Sequence, residues 1–169
     1  GYNIEEIQKQ YPELKVKINE RWKDTSPTHS FFIAAESNKN ASFVSYTDII
    51  YRETAVKELK KGLKNFDLVI AVDSLWRNRF KGRETADITK AECVKYSKGV
   101  ITSMGFGASE EFNVSAEFAG FFMMSSITRS FINDLASPIK EKFSNRPLVE
   151  FLEFIRIQGF NISYYDVQG

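Results

Sequence analysis

Two aspartates, a run of arginines and one glutamate stand out by type and setting. Asp48 closes the run "ASFVSYTD" and Asp73 closes "FDLVIAVD", so each ends an apolar segment. A carboxylate at the end of a buried strand can hold a hard cation such as Mg²⁺, which takes one or two protein carboxylates and fills its other positions with phosphate oxygens or water. An Asp that caps a helix or stabilises a turn occurs at the same kind of position, and position alone does not separate the two. Directly after Asp73 comes "SLWRNRFKGR", which sets Arg77, Arg79, Lys81 and Arg83 close together. Guanidinium groups bind phosphate or phosphonate bidentately, so this loop can enclose a small dianion; it can equally be a solvated run of charge. Glu117 lies inside "SAEFAGFFMM". A carboxylate on an apolar strand needs a partner, either an Arg of the basic loop or a cationic ligand.

Chemistry at these residues requires elements that bring them to one side of a sheet. The segment "ETAVKELKKGLKN", with apolar spacing at Ala55, Val56, Leu59 and Leu63, predicts a helix between the two Asp-terminated strands. A strand apolar on both faces, such as "FDLVIAVD", belongs inside a sheet, and strand, helix, strand predicts a parallel βαβ unit. Asp48 and Asp73 would then stand at the carboxyl ends of adjacent strands, where open α/β sheets bind ligands. Elsewhere the sequence predicts a short acidic helix near the start, a strand at Lys15–Asn19, and a helix over 27–37 that begins at Ser26-Pro27. A hairpin turned at Lys98-Gly99, a buried strand at "SAEFAGFFMMS", helices over 126–136 and 146–158 and a last strand at "NISYYDVQ" complete one α/β domain over residues 1–169.

Composition narrows the function classes. With 169 residues, 43% of them hydrophobic, the chain can bury one sizeable core. Its 23 basic and 22 acidic residues nearly cancel, so no overall field draws it to nucleic acid or an anionic membrane, and any anion site must be local. The lone Cys93 excludes an internal disulfide and a zinc site of several thiolates, which suits a reducing cytosol. No apolar run approaches the roughly 18 residues of a membrane span, so the chain reads as soluble and intracellular. His29, buried-strand Cys93 and the "GFGAS" stretch at 105–109, which lacks P-loop spacing and its Lys, read as packing or hairpin residues without a catalytic role.

Taken in order, "GYNIEEI", "YPELKVKINERW", "HSFFIAAE", "SFVSYTDIIY", "LVIAVDSLWRNRFKGR" and "AEFAGFFMM" resemble the small-molecule nucleotidyltransferases. The nearest kinds are the 2-aminoethylphosphonate and phosphocholine cytidylyltransferases, related to the sugar-phosphate nucleotidyltransferases. The resemblance implies a three-layer α/β/α sandwich with a mixed, mainly parallel sheet. It also implies in-line attack of an acceptor phosphate or phosphonate on the α-phosphorus of a nucleoside triphosphate, expected to be CTP, with release of pyrophosphate. Asp48, in "SYTDIIY", matches a family Mg²⁺ ligand and is the expected catalytic residue. Asp73, Arg77, Arg83 and Glu117 are the expected acceptor site, with guanidinium for the phosphonate or phosphate and the Glu117 carboxylate for an amine or choline head.

Against the family pattern, the chain lacks the amino-terminal Gly-rich loop that grips the nucleotide phosphates and a second acidic metal ligand after "YYDVQG". Asp166 lies in the strand before that position and is not taken as a substitute. The expectation is therefore a domain incomplete at both ends, inactive alone, within a parent that has fused segments or forms a homo-oligomer. A non-catalytic nucleotidyltransferase-like binding or assembly module is the alternative. A glycosyltransferase is disfavoured because no Asp-x-Asp motif is present.

Overall fold

A computed structural model describes residues 3–36, 39–106 and 116–168. Its elements in chain order are α1 (Ile4–Gln10), α2 (Pro27–Ala35), β1 (Ser42–Ser45), α3 (Glu53–Gly62), β2 (Leu68–Asp73), α4 (Trp76–Arg79) and α5 (Thr85–Thr89). After these come β3 (Glu92–Ser97), β4 (Val100–Phe106), β5 (Ala116–Met124), α6 (Ser126–Asp134), α7 (Ser137–Phe143), α8 (Leu148–Ile157) and β6 (Ile162–Asp166). Among the described residues, no helix is long and apolar enough to cross a membrane.

Alternation along the strands builds the layers. Leu68, Ile70 and Val72 of β2 pack with Phe118, Phe122 and Met124 of β5 against helices α2, α6, α7 and α8, through Phe31, Phe32, Ile132, Phe143, Phe151 and Ile155. Phe122 and Phe151 are fully buried, and each contributes roughly 1.5–3 kcal/mol from apolar burial. The opposite face of the same strands, with Val69, Ala71 and Phe121, packs on Ala55 and Leu59 of α3. The result is a helix, sheet, helix sandwich. A smaller cluster of Trp76, Ala91 and Cys93, with Phe80 and Ile88, pins α4 and α5 beside the head of β3.

The sheet order is β1-β5-β2-β6-β4-β3, with β3 also pairing β5. It is mixed. β1, β2, β6 and β3 all run one way, because β1, β2 and β3 are each antiparallel to β5 while β6 is parallel to β2. Only β2 and β6 pair in parallel among the described strands, since β5 and β4 run back between the others. The expected adjacency of β1 and β2 is accordingly corrected: β5 lies between them, with Phe122 paired to Val44 on one side and Ile70 on the other. A nine-residue strand apolar on both faces is suited to that central place.

Other expectations differ in detail. Residues 15–19 form no strand; Leu14 and Ile18 are exposed, and Asn19 instead donates from Nδ2 to the hydroxyls of Thr25 and Ser30, each at 3.0 Å. α2 begins as expected, with Ser26 Oγ accepting the Thr28 amide at 3.3 Å. The chain after α6 restarts as α7, with Pro138 in its first turn, where a missing amide costs nothing. The hairpin turn has Lys98 and Gly99 both in the left-handed region, φ 49° and 82°, as a two-residue turn between twisted strands requires. Residues 107–109 of "GFGAS" lie outside the described residues.

Candidate active site

The ends of β1 and β2, the amino-terminal end of α3, α4, α5 and the first half of β5 enclose a cleft of about 750 Å³. Asp48, Asp73, Arg83 and Glu117 all line it, and Arg77 does not. Asp48 and Asp73 thus face one cleft although their strands are separated by β5.

At one wall, β2 and β5 place two carboxylates side by side. Asp73 and Glu117 are register partners on the face that carries α3. Such a pair repels unless a cation intervenes, and the cation is Arg79. Its Nη2 donates to Glu117 Oε2 at 2.6 Å and makes an ionic contact with Asp73 Oδ2 at 2.7 Å that lacks hydrogen-bond alignment. The Asp73 side chain is only 1% exposed and that of Glu117 17%, while Arg79 is 54% exposed, so the guanidinium forms a lid over both acids. The other Asp73 oxygen accepts the Leu75 amide at 2.8 Å, which turns the chain from β2 into α4 and delivers Arg79. Burial pushes the Glu117 carboxyl up; Arg79 opposes this, Asp73 adds to it and Arg83 opposes it again.

The structure therefore gives Glu117 the first of its two possible partners, an Arg of the basic loop. Asp73, at 1% exposed, is reached by a substrate only if Arg79 moves aside, and Arg79 already neutralises the Glu117 carboxylate that a substrate cation would need. Arg77 and Arg83 are held on different rings of one aromatic pair: the Arg77 guanidinium stacks over buried Trp76 and that of Arg83 over Phe80, each at 4.7 Å from the ring centroid. Arg83, with Arg52 and Lys90, supplies cations to the cleft. Asp166 accepts the amides of Ser74 and Gln168, each at 3.1 Å, and so shapes the turn after β2.

At the other wall Asp48 is exposed, three residues beyond β1, and makes no hydrogen bond or ion pair among the described residues. It does not cap α3, whose N-cap is Arg52 with no side-chain capping bond. No three metal-ligating side chains converge among the described residues. A protein contributes only one or two carboxylates to Mg²⁺, the other positions being taken by phosphate oxygens or water; the cleft around Asp48 carries both signs, with Arg52, Arg79, Arg83 and Lys90 against Asp73, Asp87, Glu92 and Glu117. Close by, the Tyr46 hydroxyl donates to Glu92, at 3.2 Å to Oε2 and 3.4 Å to Oε1. Burial pushes both groups up: for Tyr46 the Glu92 charge adds to it, and for Glu92 the Tyr46 hydrogen bond opposes it while Glu117 adds to it.

Sequence reasoning missed Arg79 as the bridging residue, and Tyr46 and Glu92 altogether. Glu92 carried a weaker form of the signal that singled out Glu117: it heads "ECVKYS", a strand that also holds Lys95 and Ser97, so a carboxylate there stands out less. Arg79 could not be told from its neighbours, because the turn of α4 decides which guanidinium points back.

No family model matches the chain. It is 26% identical over 165 residues to a CTP:phosphoglutamine cytidylyltransferase from Campylobacter jejuni, covering 90% of this chain and 64% of the relative. Among solved structures it superposes on the inositol-1-phosphate CTP transferase from T. maritima with a TM-score of 0.63 at 18% identity, covering 88% of this chain and 54% of that one. It also superposes on the CTP:phosphocholine cytidylyltransferase from Streptococcus pneumoniae with a TM-score of 0.58 at 10% identity, covering 98% and 64%. The chain thus spans less than two thirds of the length of each of these relatives. In sequence it resembles a cytidylyltransferase, and its fold is that of the nucleotide-diphospho-sugar transferases.

Proposed function

We propose that the chain is the acceptor-side part of a nucleotidyltransferase that moves CMP from CTP to a small phosphate or phosphonate acceptor and releases pyrophosphate. The observation that carries this reading is the cleft itself: exposed Asp48 lines it together with Arg52, Arg83 and Lys90, and its volume of about 750 Å³ is large enough for a small phosphorylated molecule. The likeness to a cytidylyltransferase supports CTP as donor.

Asp48 would hold Mg²⁺ by its carboxylate, and the ion, when bound, would neutralise charge on the phosphates. Arg83 would orient the acceptor dianion by its planar fork, with Arg52 and Lys90 adding point charge. The Arg79 lid gives this end of the cleft a fixed guanidinium without free acid beneath it. The acceptor oxygen is the nucleophile and already ionised near neutral pH, so positioning and charge neutralisation are the protein's main contributions.

The test uses the whole protein that carries this chain. It is offered a panel of nucleoside triphosphates with phosphorylated and phosphonylated amines and polyols, and pyrophosphate release is measured. Turnover that requires CTP, Mg²⁺ and a phosphate or phosphonate acceptor is expected. Absence of turnover with every pair would replace the reading with that of a non-catalytic binding or assembly module.

A further inference from the structure

We propose that Tyr46 and Glu92, seated against Gly120, form a tether that fixes the loop bearing Asp48 at the edge of the cleft. The functional part of this inference rests on the reading of Asp48 given above; the tether itself does not.

Tyr46 is the first residue beyond β1 and stands two residues before Asp48. It is held at three points. Its amide donates to the Gly120 carbonyl at 2.9 Å, its hydroxyl donates to the Glu92 carboxylate, and its ring lies edge-on to Phe118 with centroids 6.1 Å apart. The bond to Glu92 joins the exit of β1 to the head of β3, across β5.

Gly120 is the seat. It has φ 84°, and a Cβ there would lie 2.8 Å from Tyr46 Cδ2 and 3.4 Å from Ile49 Cδ1. The two residues that would be displaced flank Asp48 in the chain. The pairing of β2 with β5 also slips between Ile70 and Val72, opposite this glycine. The bare backbone at 120 thus admits the Tyr46 ring, and the bend of β5 makes room for it.

The tether matters because the loop is anchored on both sides of Asp48 but not at it: Ile49 packs on the α3-side core and Tyr51 on Phe43 and Phe121, and Tyr46 is the anchor on the amino-terminal side. Thr47, Asp48 and Ile50 are exposed, and Asp48 has no hydrogen bond of its own among the described residues. A single carboxylate contributes at a charged centre only when it is held in place before the ligand arrives. Tyr46 and Glu92 are positioning residues in this scheme.

Three variants of the whole protein test it: Tyr46→Phe, Glu92→Ala and Glu92→Gln, the last retaining an acceptor for the hydroxyl. Exchange of the residue-46 amide, which donates to Gly120, read by NMR without ligand, is expected to quicken about tenfold in the first two and to stay near wild type in Glu92→Gln, with β2 amides protected throughout. Unchanged exchange in Tyr46→Phe overturns the tether, and so does Glu92→Gln behaving like Glu92→Ala. Should Glu92→Ala fail to fold, Tyr46→Phe against Glu92→Gln still decides. In the transfer assay Tyr46→Phe is expected to lower kcat about tenfold with the acceptor KM unchanged. A rise in KM alone overturns the positioning of Asp48. A wild-type protein without transfer activity defeats the proposed function while leaving the exchange comparison decisive for the tether.

Discussion

The two walls of the cleft treat their carboxylates in opposite ways. On the β2–β5 wall, Asp73 and Glu117 sit side by side, buried or half-buried, and share Arg79. On the β1 wall, Asp48 is exposed and, among the described residues, unpaired. A buried acid must be matched from within the chain, because desolvating an unpaired charge costs more than the fold can spare. An acid left in water beside cations costs little and stays available to a ligand. Acidity of the cleft is therefore a poor guide to its ligand sites; the presence or absence of an internal partner is the better one.

The sharpest way to break this comparison is to remove Asp48. In the whole protein Asp48→Ala is expected to lower turnover by about 10²–10³-fold, the scale for losing one group that stabilises transition-state charge, with no change in melting temperature. A lower melting temperature with intact turnover would make Asp48 a structural residue like its counterparts.

Arg79→Ala should do the reverse. Removing one partner of a buried ion pair costs about 3–5 kcal/mol, and the half-exposure of Arg79 reduces this to roughly 1–3 kcal/mol. At this size a fall of about 2–4 °C in melting temperature per kcal/mol is expected. An unchanged melting temperature would mean that Asp73 and Glu117 do not need the guanidinium, and the two walls would no longer differ.

A finer test separates the arginines that the sequence presents as equals. Arg83 lines the cleft and Arg77 does not. Arg83→Lys should raise the acceptor KM about tenfold by losing the bidentate fork while keeping the charge, whereas Arg77→Lys should leave both KM and kcat near wild type. Equal effects would mean that the loop rearranges when the acceptor binds.

The smallest expected effect is a pH dependence at Glu92. Burial raises its carboxyl above the ordinary carboxylate range despite the Tyr46 hydrogen bond. The folded chain keeps this proton at pH values where the unfolded chain has lost it, so the associated stability is present in acid and is lost as pH rises through the raised value. The melting temperature of Glu92→Gln, which cannot ionise, should therefore gain on wild type as pH rises from about 4 to neutrality. A difference that stays constant across that range would show that Glu92 does not titrate there.

Much of the fold was legible locally. The Ser26-Pro27 helix start, the helical spacing of "ETAVKELKKGLKN", the Lys98-Gly99 turn and the doubly apolar "LVIAVD" each state their own conformation, because caps, turns and periodicity depend on neighbours a few residues away. The strand expected at Lys15–Asn19 failed for the opposite reason: a strand exists only with a partner, and none lies beside it among the described residues. Asp48 and Asp73 were recognisable as strand-end acids, and their common cleft followed from parallel direction. That β5 divides their strands was not visible, since "AEFAGFFMM" announces a buried strand without naming its neighbours.

By itself, then, the sequence determined most of the elements and the set of charged residues at one end of the sheet, which follow from side-chain type and spacing, while the three layers were implied by the family resemblance. Only the tertiary structure decided which of those charges cancel. The partnership of Arg79 with Asp73 and Glu117 depends on β5 pairing beside β2 and on α4 turning its fourth residue back over both acids. The freedom of Asp48 depends on no cation pairing with it among the described residues, although Arg52 lines the same cleft. Charge pairing is settled over distances of a few ångströms, here between Arg79 and residues six and 38 positions away in the chain, and the longer-range proximity exists only once the strands are in order.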